Sequence, residues 1–203
     1  GQYIGGQSYI EQLECWLEAG EQQILITGES GAGKSALIAN WSKAYSEAHP
    51  KTLKVVHHLG SGADAADSVK IVTRLLQEIA RITGDELKFE IQPQKILDAL
   101  PEWLARASSH AEREGKEWLI LLDGLDKLSN LRDLRWWPEF LPPRVKLVVS
   151  CLNGEVQDEA KNRMEWKSLA VHPFTSEEQK EFITEYLGKY RKSMKPEQVA
   201  CVQ

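Results

Sequence analysis

The segment Gly28-Glu-Ser-Gly-Ala-Gly33-Lys34-Ser35 narrows most what this chain can become. It follows Gln23-Ile-Leu-Ile-Thr27, which reads as a short strand, and precedes Ala36-Leu-Ile-Ala-Asn-Trp41, which reads as helix. Glycines at this spacing allow the backbone conformations that turn successive N–H groups inward. The start of the helix adds partial positive charge to the same concavity. The combination implies a loop that wraps phosphate oxygens with Gly28, Glu29, Ser30, Gly31, Ala32, Gly33, Lys34, Ser35 and Ala36. Lys34 is expected to reach the β- and γ-phosphates and Ser35 to offer a hydroxyl to Mg²⁺. The side chains of Glu29 and Ser30, at the loop tip, read as solvated rather than catalytic. A glycine-rich turn that holds no ligand is the alternative, disfavoured by the full pattern with both flanks.

A second segment supplies the complementary acid. Trp118-Leu-Ile-Leu-Leu-Asp123-Gly-Leu-Asp126 is an apolar strand that delivers Asp123 at its carboxyl end. In a parallel sheet that end lies near the phosphate loop, where a carboxylate can orient the water-rich shell of Mg²⁺. Ser35 and Asp123 are thus the expected metal-side pair. Asp126 either positions or deprotonates the attacking water, or caps a helix beginning near Lys127. Between the two motifs lies a further strand, LKVVHHL, an order that suggests the extra-strand class of phosphate-loop proteins. No Asn-Lys-x-Asp guanine-reading segment is present, so ATP or ADP is favoured over a guanine nucleotide.

The rest of the chain alternates in the same way. Ser8 to Glu18 reads as helix ended by Gly20, and Asp67 or Ser68 caps a helix with Val69, Val72, Leu75, Leu76 and Ile79 on one face. Pro93 to Glu114 reads as a second helix with proline in its first turn. Strands are expected at 117–122, at 145–150 after the turn Leu141-Pro-Pro-Arg144, and more weakly at 166–171. Continuous apolar strands between helices imply α/β architecture: a three-layer core with a mainly parallel sheet flanked by helices. Residues 1–172 are assigned to a nucleotide-binding core. Residues 173–203, opened by the capping segment Thr175-Ser-Glu-Glu-Gln, are assigned to the beginning of a helical lid.

Composition excludes several alternatives. Among 203 residues, 25 basic and 30 acidic side chains give a net charge of −5, without the basic excess of a dedicated nucleic-acid binder. No run of ~18 apolar residues exists to span a membrane. Cys15, Cys151 and Cys201 offer no CxxC pair and read as intracellular thiols packed as small hydrophobes, so a cytoplasmic location is expected. A start without methionine and an end within a helical pattern suggest a domain excised from a longer protein.

GESGAGKSALIANW, KVVHHLGSGADAADSVKIVTRLLQEI, WLILLDGLDKL and LPPRVKLVVS together resemble the NACHT family of signal-transduction ATPases, in its nephrocystin-3-like and telomerase-associated-protein-like branch. The likeness spans about residues 3 to 190. It implies an ATP-dependent switch placed beside helical lid, winged-helix and repeat regions, with homo-oligomers in the ATP state. Tyr3-Ile4-Gly-Gly6 resembles the stretch that borders adenine in the family, with Gly6 where arginine usually stands. Lys127 replaces the last acid of the family's D-G-x-D-E. Leu152 replaces the arginine that follows the sensor serine, here Ser150, which is expected to approach the γ-phosphate. Both departures imply slow hydrolysis or an arginine supplied by another chain. A non-hydrolysing scaffold and a small-molecule kinase are the rival readings.

Some features read two ways. Trp136, Trp137 and Phe140 either close the core beneath the sheet or form a partner surface. Arg132, Arg135 and Arg144 are solvated or reach a neighbour's nucleotide. His57 and His58 face opposite sides of their strand and read as packing or exposed residues, since a metal pair there lacks partners.

Overall fold

The computed structural model describes residues 6–59, 67–87, 92–129, 134–162 and 165–173, with 175, 176, 178, 179 and 184. Its centre is a five-stranded sheet of β1 (Gln23–Gly28), β2 (Thr52–His58), β3 (Glu117–Asp123), β4 (Val145–Leu152) and β5 (Lys167–Ala170). The strands pair in parallel in the order β2-β3-β4-β1-β5. The helices are α1 (Gln7–Glu18), α2 (Lys34–Ala48), α3 (Ser68–Thr83), α4 (Pro93–Glu114) and α5 (Glu155–Asn162). The expected α/β class holds, and the β4 strand inserted between β1 and β3 is the extra strand that the motif order implied.

Alternation along the strands sends side chains into two cores. Val55, Ile120, Leu122, Leu147 and Val149 meet α3, α4 and α5 on one face. Ile24, Ile26, Leu119, Leu121 and Val148 meet α1 and α2 on the other. The inner strands are buried on both faces, which is why their sequence runs apolar without alternating. Local chemistry sets the helix bounds. Asp67 accepts from Val69 N at 2.8 Å and Lys70 N at 3.2 Å, capping α3. Left-handed Gly84 and Gly115 end α3 and α4. Pro101 sits inside α4, which nonetheless continues, anchored by Trp118 Nε1 donating to Ala107 O at 2.8 Å.

The aromatic segment divides. Trp136 and Trp137 are buried in an edge-to-face pair, and Trp137 Nε1 donates to Gln23 Oε1 at 3.1 Å, so they close the core at the N-terminal edge of the sheet. Phe140 is 80% exposed and takes no part in that closure. The cysteines divide as well: Cys151 is buried as expected, whereas Cys15 is exposed, on the outer side of α1. Tyr3, Ile4, Arg132, Cys201 and most of the lid segment lie outside the described residues. Among those described, no helix is long and apolar enough to cross a membrane.

Candidate nucleotide site

In a parallel sheet all carboxyl ends fall on one edge, and the chemistry-bearing residues gather there. β1 ends at Gly28, whose missing side chain has a steric reason: a Cβ would collide with the Val171 carbonyl oxygen just beyond β5. Val171 N in turn donates to Thr27 O at 2.7 Å. Gly31 (φ +80°) and Gly33 (φ +93°) take the left-handed conformations that glycine adopts freely. The loop then enters α2, whose first residue, Lys34, is nearly buried and donates from Nζ to Gly28 O at 2.9 Å and Glu29 O at 2.7 Å. The lysine therefore lies back along its own loop. Glu29 and Ser30 are exposed at the tip, as expected.

Asp123 ends β3 and is 7% exposed. Its Oδ1 accepts from Ser35 Oγ at 3.1 Å and from Ser150 Oγ at 2.5 Å, and its Oδ2 accepts from His58 Nδ1 at 3.2 Å. Burial pushes this carboxyl up, but the hydrogen bonds from Ser150, Ser35 and His58 outweigh burial and hold it below the usual carboxylate range. The acid is thus ionised near neutrality. Ser35 gives its single proton to Asp123 and keeps its lone pairs, so an alcohol oxygen and a carboxylate stand together. Hard oxygen donors of this kind suit Mg²⁺, which keeps several waters and needs few protein ligands.

Ser150, expected to approach the γ-phosphate, stands beside the acid. Its one proton goes to Asp123, and its oxygen accepts from Gly124 N at 2.9 Å. In this arrangement it braces the acid. Asp126 lies in a 3₁₀ turn, Leu125–Lys127, and no α-helix begins at Lys127. Its Oδ1 instead accepts from Leu152 N at 2.8 Å, tying the turn to the end of β4. The Lys127 stem folds over Gly124. Between Ser150 and Leu152, burial first and Asp126 second push the Cys151 thiol up to about 12, so it is an inert packing group.

The structure brings together Lys34, Ser35, Asp123 and Ser150 at one edge, with Asp126 one turn away. Sequence reasoning missed His58, whose partner is visible only once β2 is known to pair with β3 in the register His58 to Asp123. Arg135 and Arg144 are exposed, and Arg144 lies at the opposite edge, donating to Lys116 O at 3.3 Å.

The NACHT domain profile matches residues 22–190. The chain belongs to the NACHT domain family. This NACHT domain is 31% identical to a TPR repeat-containing protein of Dictyostelium discoideum, over 88% of the chain and 13% of that protein. It is 25% identical to human nephrocystin-3, over 89% of the chain and 13% of that protein. It therefore spans about an eighth of the length of these relatives. Solved structures that share its fold include the following two. Cdc6p of Pyrobaculum aerophilum has a TM-score of 0.60 at 15% identity, covering 90% of this chain and 49% of that one. AMPPCP-bound DnaA of Aquifex aeolicus has a TM-score of 0.55 at 12% identity, covering 98% and 57%. At these identities the likeness concerns fold alone.

Proposed function

We propose that this NACHT domain binds ATP or ADP with Mg²⁺ at the carboxyl edge of its sheet, hydrolyses ATP slowly, and serves as a nucleotide-dependent switch in a larger protein. The observation that carries the reading is the convergence of Lys34, Ser35 and Asp123 on one edge, beneath a glycine loop and a helix N-terminus. Lys34 Nζ has three hydrogens, two of them on loop carbonyls, and a phosphate oxygen can take the third. Magnesium, when bound, supplies charge neutralisation between phosphates. Ser35 and Asp123 would hold it, the hydroxyl facing the ion and the carboxylate orienting its water shell.

Slow turnover follows from what surrounds the water-handling position. Asp126 spends one oxygen on Leu152 N, Lys127 stands where an acid is expected, and Leu152 brings no charge. Residues 173–203 are assigned to a helical lid, followed in the whole protein by winged-helix and repeat regions. The ATP state would favour self-association and the site would lie in the cytoplasm. The same engagement of Asp126 favours a second reading, a scaffold that binds nucleotide and never hydrolyses it.

Calorimetry with ATP and Mg²⁺ tests the binding. Lys34→Ala should weaken affinity tenfold or more, about 1.4 kcal/mol, and equal affinity for parent and variant would remove the proposal. Multiple-turnover phosphate release then separates switch from scaffold: a rate well below ~1 s⁻¹ that Lys34→Ala abolishes is expected of the switch, and none at all of the scaffold.

A further inference from the structure

We infer that His58 is a positioning residue for the metal-side acid, holding Oδ2 of Asp123 so that Oδ1 faces Ser35 and the Mg²⁺-dependent part of nucleotide binding rests on the end of edge strand β2. This rests on the reading of the site as a magnesium–nucleotide site.

The placement is built into the backbone. His58 is the last residue of β2 and pairs directly with Asp123, so alternation puts both side chains on the face that carries α2. The next residue fixes the strand end a second time, because Leu59 N donates to Asp123 O at 2.8 Å. Leu59 O also packs close against Gly124. The end of β2 therefore grips Asp123 through one main-chain bond and one side-chain bond. His57, the preceding residue, goes to the other face, where burial first and Arg74 second lower its pKa. Of the two adjacent histidines, His58 is the one that touches Asp123.

The hydrogen inventory gives the bond a direction. An ionised carboxylate only accepts, so Nδ1 of His58 carries the hydrogen and donates. Oδ1 already takes two hydroxyl bonds, from Ser35 and Ser150. Without a donor on Oδ2, the group is restrained from one side only and can turn about its last torsion, which is soft for a carboxylate. With His58 in place both oxygens are held, and Oδ2 retains lone-pair capacity for a metal-bound water. The His58 side chain is 56% exposed, so its removal opens no cavity.

ADP avoids turnover and serves as the probe, with affinity measured by calorimetry in EDTA and again in Mg²⁺. The expected result is that parent, His58→Ala and His58→Asn bind alike in EDTA. In Mg²⁺ the parent gains affinity, His58→Ala forfeits about fivefold of that gain, as suits one partly exposed charge-assisted bond, and His58→Asn, which can donate from the same place, recovers most of it. A full Mg²⁺ gain in His58→Ala would overturn the inference. So would equal weakening with and without Mg²⁺, the mark of a merely structural role. If the parent binds no ADP in either buffer, the reading of the site itself fails, a result distinct from both. A second measurement needs no substitution at His58: the imidazole ¹⁵N spectrum of the nucleotide-free chain, with the ring neutral, should place the His58 hydrogen on Nδ1, and Asp123→Asn should disturb it. A hydrogen on Nε2 would overturn the inference whatever the variants do.

Discussion

The two edges of the sheet solve opposite problems with the same strands. At the carboxyl edge, β1, β3 and β4 end in Gly28, Asp123 and Leu152, and Ser35, Asp123 and Ser150 gather beside a glycine-rich loop. At the amino edge the polar groups answer one another. Gln22 Nε2 donates to Pro142 O at 2.9 Å and Val145 O at 3.0 Å, and Gln23 Nε2 donates to Glu139 O at 2.7 Å. Ser108 Oγ donates to Pro143 O at 2.6 Å, and the buried Trp137 donates from Nε1 to Gln23 Oε1. A crevice of about 620 Å³ does open there, lined by Tyr45, His49, Glu117, Arg144 and Lys146. Its lysine is committed to Glu117 at 2.9 Å, so space alone does not make it a phosphate site. The amino edge is held by contacts between its own loops, whereas the carboxyl edge gathers the residues proposed to hold nucleotide, and substitutions should separate the two.

The largest effect should come from the amino edge. Trp137→Ala removes a buried indole and leaves Gln23 Oε1 without its donor, and should lower unfolding free energy by about 3–5 kcal/mol. Urea unfolding measures this, and the nucleotide affinity of the folded fraction should be unchanged. If affinity falls in step with stability, the two edges are not independent.

Gly28 is where the comparison is most easily broken, because it packs against Val171 and also opens the loop proposed to hold phosphate. Gly28→Ala drives a Cβ into the Val171 carbonyl and should cost about 1–3 kcal/mol while also reducing ATP affinity. Gly31→Ala is the contrast: nothing lies within 4 Å of its Cβ position, and only its positive φ opposes the change. It should therefore cost less than Gly28→Ala in the same thermal melt.

Asp123 sharpens the comparison through pH. Its folded pKa lies below the ordinary 3.8, so the stability it contributes is fully present above that value and is lost as pH falls through the folded value. Asp123→Asn should melt below the parent at neutral pH, with the gap closing on acidification past about 3.8. A gap constant with pH would mean that the charge contributes nothing to folding. The smallest effect belongs to Phe140→Ser, which touches an exposed ring and should change stability by less than about 0.5 kcal/mol.

The sequence by itself determined whatever is local. The phosphate loop, the helix it opens, the cap at Asp67, the proline start of α4 and the acid at the end of an apolar strand all depend on neighbours within a few residues. Backbone sterics and short-range hydrogen bonds therefore write them into the chain. The α/β class was legible for the same reason, since buried parallel strands leave no alternation. Tertiary structure decided which strand ends meet. Nothing within LKVVHHL says that β2 lies against β3 or that His58 comes opposite Asp123. Nothing within VKLVVS says that the Ser150 hydroxyl meets Asp123. Asp126 could be read as a helix cap until the Leu152 N–H was found on its oxygen. Strand order arises from how two layers of helices pack over one sheet, a property of contacts far apart in the chain, and no local pattern encodes it.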